Sequence, residues 1–188
     1  MNADLELEHS NRMELLRQLV DAVPGLHHQV LRQRLDAVNR VIQRIAQNHV
    51  VPIAAIDPFE RQFLAVADQI ETNLEEQECW LFAWLRRLVR QGPVAGPPSY
   101  LDESLEEAMS QAAAASQKTI QTVSQIQMSL CQPEWTDKGP LVEELIDRLR
   151  DLEEALMEYD HLVREELFPC VREMNQSRAE EKEARYAF

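Results

Sequence analysis

Apolar residues recur at steps of three and four along most of this chain, the period of a helix face turned toward a core. One stripe runs His28, Leu31, Leu35, Val38, Ile42, Ile45, His49. A second runs Phe59, Phe63, Val66, Ile70, Asn73, Gln77, Leu81, Trp84, Leu88. A third runs Leu101, Leu105, Ala108, Ala112, Ser116, then Thr119 or Ile120, Val123, Ile126 and Leu130. The fourth is Val142, Leu145, Leu149, Leu152, Leu156, Tyr159, Val163, Leu167.

Punctuation separates the stripes. Pro24-Gly25 precedes the first, and Asp57-Pro58-Phe59-Glu60 reads as the capped start of the second. Gly92-Pro93 and Gly96-Pro97-Pro98 close the second, and the third helix starts near Ser99. Cys131-Gln132-Pro133 ends that helix, Gly139-Pro140 opens the fourth, and Pro169 should kink or end it. Before the first stripe, Asn11 and Glu14 have the spacing of a capping box for a short lead-in helix with Leu15, Leu16, Leu19 and Val23 on its apolar face. The pattern predicts an all-α, up-down-up-down four-helix bundle over residues 24–175. A lead-in segment occupies 1–23 and a charged tail 176–188.

Composition narrows the partners. The net charge of −14 disfavours nucleic acid, whose phosphates would be repelled, and anionic membrane surfaces. It leaves a protein partner of unspecified identity. No apolar run reaches the length of a membrane span, and the acidic N-terminus is not a signal peptide. Three scattered cysteines, Cys79, Cys131 and Cys170, read as reduced thiols, so a cytoplasmic location is expected.

Candidate chemistry lies where polar residues interrupt the stripes, because burying an unpaired amide or hydroxyl costs roughly 1–3 kcal/mol. Those positions are His28, Asn73, Gln77 and Tyr159, on three helices. His28 and His49 share a face but lie roughly 30 Å apart along one helix and cannot hold one ion. His49 reads as a helix-terminal histidine favoured by the dipole. His161 stands about 200° from Tyr159 around the fourth helix, and with Glu165 it reads as a surface pair. The acids Glu75, Glu76 and Glu78 read as a solvated face. Trp80 and Trp84 read as packing residues. No Gly-rich phosphate loop, nucleophile elbow or HExxH is present, and the chain is not expected to be an enzyme.

The segments Leu74-Glu75-Glu76-Gln77-Glu78-Cys79-Trp80-Leu81-Phe82-Ala83 and His161-Leu162-Val163-Arg164-Glu165-Glu166-Leu167-Phe168-Pro169 look like one repeated motif. Both resemble the hemerythrin-like (HHE cation-binding) proteins, especially the di-iron iron–sulfur cluster repair group. His28-Gln29-Val30-Leu31-Arg32 fits that family's first helix, and Pro133-Glu134-Trp135 resembles the turn before its fourth. The resemblance covers roughly residues 24–175. It implies six iron-ligand positions. His28 keeps its histidine, whereas the others fall on Asn73, Gln77, Leu105, Tyr159 and Val163. A di-iron centre needs imidazoles and bridging carboxylates from all four helices. The expectation is therefore a degenerate bundle with no metal or other cofactor, in which His28, Asn73, Gln77 and Tyr159 form a vestigial polar pocket and Leu105 and Val163 mark lost ligands. The alternative is one iron or zinc ion held by His28, Tyr159 and Glu78, in sensing or in stress and iron–sulfur repair. A third reading gives the emptied pocket to a small or haem-like ligand.

Overall fold

The structure, a computed structural model, describes residues 2–91, 105–135 and 139–173. Its described residues are helical apart from the connecting turns, with no strand among them. In chain order the α-helices are α1 (Asn2–Ala22), α2 (Gln29–Gln47), α3 (Ile53–Glu76), α4 (Ala83–Gln91), α5 (Leu105–Ser129) and α6 (Pro140–His161). Three π-helical segments extend or join them: Val23–His28 between α1 and α2, Gln77–Phe82 between α3 and α4, and Leu162–Leu167 after α6. The described residues thus form four long rods around one core. No described helix is long and apolar enough to cross a membrane.

The stripes become the core. All eight positions of the fourth stripe are buried, from Val142 to Leu167. A fully buried leucine side chain contributes about 1.5–3 kcal/mol, so this face alone ties α6 firmly to its neighbours. Helix α6 packs on α2 and α5, and α3 packs on α2 and α5. Polar ties at the seams fix the register. Arg34 reaches Asp151 at 3.2 Å and Arg44 reaches Glu144 at 2.9 Å between α2 and α6. Between α5 and α6, Gln127 donates to Glu153 at 3.0 Å, Ser124 donates to the same carboxylate, and Gln117 donates to Asp160 at 2.8 Å.

Several boundaries differ from the sequence pattern. No separate lead-in helix starts at Asn11, because helix begins at Asn2 and runs through Pro24-Gly25 to Gln47. Proline normally breaks a helix by clashing with the carbonyl four residues back and removing an N–H. Here Pro24 lies in the first turn of a π segment, Val23–His28, that joins the two α-helices. Burial of Leu16, Leu19, Val20 and Val23 holds the joined rod, and α1 packs on α4. Pro169 likewise follows a π segment, and the helix continues to residue 173. The second rod opens at Ile53 rather than Asp57, because Val51 and Ile56 are buried and anchor an earlier turn. The expected start of the third helix near Ser99, with Leu101, lies outside the described residues, as does the tail 176–188. Leu88, Leu105 and Ala108 lie in described helices with their side chains outside the described set.

The end of α2 has a specific closure. His49 adopts φ 51°, the left-handed region, and is exposed. Its N–H bonds the Ala46 carbonyl at 3.2 Å, and the Val50 N–H bonds the Ile45 carbonyl at 3.2 Å. This is a Schellman closure with histidine at the position glycine usually takes. His49 therefore caps the helix and is not on the core face, as the stripe alone had suggested.

Candidate functional site: a buried polar chain across three rods

His28 ends the first π segment and is fully buried. Its Nδ1 lies 2.7 Å from Glu78 Oε1. Its Nε2 faces the Tyr159 hydroxyl at 3.4 Å. Phe82 and Tyr159 meet the imidazole edge-on, with ring centroids 5.5 and 5.4 Å away. The Tyr159 hydroxyl donates to Gln77 Oε1. Gln77 and Glu78 open the second π segment, and Tyr159 lies just before the third. Each π segment therefore contains or adjoins a member of this chain. Such wide turns recur at functional sites because they re-aim side chains within a helix.

The chain continues outward. Arg32, one turn after His28, donates to Glu78 Oε1 at 2.9 Å and to Glu71 Oε2 at 3.0 Å. One oxygen of Glu78 thus receives both the imidazole and the guanidinium. The order from core to surface is Gln77, Tyr159, His28, Glu78, Arg32, Glu71.

The electrostatics follow the burial. Desolvation lowers the His28 pKa against the opposing pull of Glu78, so the imidazole is held neutral. A neutral imidazole directing Nδ1–H at the carboxylate leaves Nε2 as a lone pair. That lone pair faces a phenol oxygen whose own proton is committed to Gln77, which accounts for the long 3.4 Å separation. Partial burial pushes the Glu78 carboxyl up, but hydrogen bonds from Arg32 and His28 more than offset this and leave it below its ordinary value. The bond to Glu78 is the main reason the Arg32 pKa is raised. Burial drives the Tyr159 pKa well up, so it stays a phenol.

The structure brings His28, Gln77 and Tyr159 together and sets Asn73 apart. Asn73 is half-buried and accepts from Gln69 Nε2 at 3.0 Å, while Leu74 takes the buried place beside it. Asn73 does line a small cavity shared with Gln77 and Tyr159. Val163 is buried in the third π segment. His161 and Glu165 are exposed, as are Glu75 and Glu76. Trp84 is buried and Trp80 half-buried against the core. Glu78 corrects the reading of it as part of a solvated face: it is partly exposed, and it links His28 to Arg32. Arg32 and Glu71 were not singled out from sequence. The available signals were their helical offsets, Arg32 one turn from His28 and Glu71 two turns from Glu78.

Among the described residues no three His, Cys, Asp or Glu side chains are grouped to hold a metal ion. Cys79 and Cys131 are free and exposed, and Cys170 is a buried thiol. The chain matches no protein-family model, no curated protein and no solved structure.

Proposed function

We propose that this chain is a degenerate hemerythrin-like four-helix bundle of up-down-up-down topology. On this reading it works in the cytoplasm as a non-enzymatic interaction or regulatory protein and carries no di-iron centre. The observation that supports it best is the commitment of Glu78. It is the carboxylate nearest the one retained ligand-position histidine, and it already receives His28 and Arg32. Of the remaining positions, Tyr159 and Gln77 bond to one another, Asn73 bonds to Gln69, and Val163 is buried. The ring of contacts joining α2, α3, α5 and α6 suits the bundle topology.

The mononuclear alternative meets a geometric objection. His28 turns Nδ1 toward Glu78 and Nε2 toward Tyr159, at opposite edges of the ring. One ion bound through one imidazole nitrogen cannot also take both oxygens in these positions. A metal on Nε2 would leave Glu78 orienting the imidazole rather than ligating.

Metal analysis of the purified full chain tests the proposal. The expected result is iron and zinc far below one per chain, in the natural protein and in His28→Ala alike. Stoichiometric iron that disappears in His28→Ala would overturn it.

A further inference from the structure

We draw no further inference here: the strongest candidate, the cleft of about 740 Å³ between α5 and the end of the rod that α6 begins, lined by Ser110, Ala113, Arg164, Phe168 and Arg172 among others, is open to solvent, its Arg164 is already committed to Asp160 and the Ala113 carbonyl, and nothing in the structure shows what covers it.

Discussion

His28 and Glu78 meet at 2.7 Å across two π-helical turns, with the imidazole wholly buried and the carboxylate about one-third exposed. A buried donor is thereby bonded to an acceptor that still touches water. Glu78→Ala leaves Nδ1–H without its partner and frees Arg32 from one of its two carboxylates. Losing a buried partner costs about 1–3 kcal/mol. Urea unfolding of the variant should show a lower midpoint by that amount with the slope unchanged.

The pH dependence of stability has a definite sign. His28 is held below its ordinary value of 6.5 by burial, so the unfolded chain takes up its proton first. Its contribution is complete above pH 6.5 and is lost as pH falls toward the folded value. Glu78 lies below its ordinary 4.5 and acts in the same direction, in a second, more acidic window. Tyr159 is raised above 10.0, so stability also declines as pH climbs past 10. Urea midpoints measured across pH should fall on both sides of a neutral plateau. In His28→Gln the decline that begins near pH 6.5 should flatten, while the more acidic one remains.

Tyr159 and Gln77 form a pair that can be separated by a double-mutant cycle. Tyr159→Phe leaves the Gln77 carbonyl oxygen in the core without its donor, at a cost of about 1–3 kcal/mol. Adding Gln77→Leu removes the stranded acceptor. The double variant should therefore be no less stable than Tyr159→Phe alone, and the coupling energy should fall between about 0.5 and 3 kcal/mol. Strict additivity in thermal or urea unfolding would show that the two groups do not act as a pair.

His49 holds a left-handed conformation that an L side chain adopts at a cost of about 1–2 kcal/mol. Glycine carries no such penalty at a Schellman position. His49→Gly should raise the unfolding free energy by about 1 kcal/mol and leave the pH profile of His28 untouched. No gain in stability would mean that His49 makes a compensating interaction of its own.

The core was readable from sequence where the helix is regular. Every member of the stripe from Val142 to Tyr159 is buried because spacing by three and four is maintained to the end of α6, and Val163 and Leu167 remain buried in the π segment beyond it. His28, Gln77 and Tyr159 were readable for the same reason: they are polar residues on apolar stripes. Glu78 was not. In a regular α-helix, adjacent residues point about 100° apart, so a residue next to buried Gln77 is read as facing solvent. The wide turn from Gln77 to Phe82 alters that register, and both Gln77 and Glu78 become part of the chain through His28. The continuity of α1 into α2 was hidden by Pro24-Gly25, since sequence rules treat that pair as a break and do not anticipate a π turn around it.

Arg32 lies between Glu71 and Glu78 and bonds to both. The positive charge that answers these two carboxylates is therefore part of the polypeptide. Dialysis cannot dilute it and a chelator cannot extract it. It is supplied with every copy of the chain as it is translated, so one of the two negative charges gathered here is balanced without a loading step.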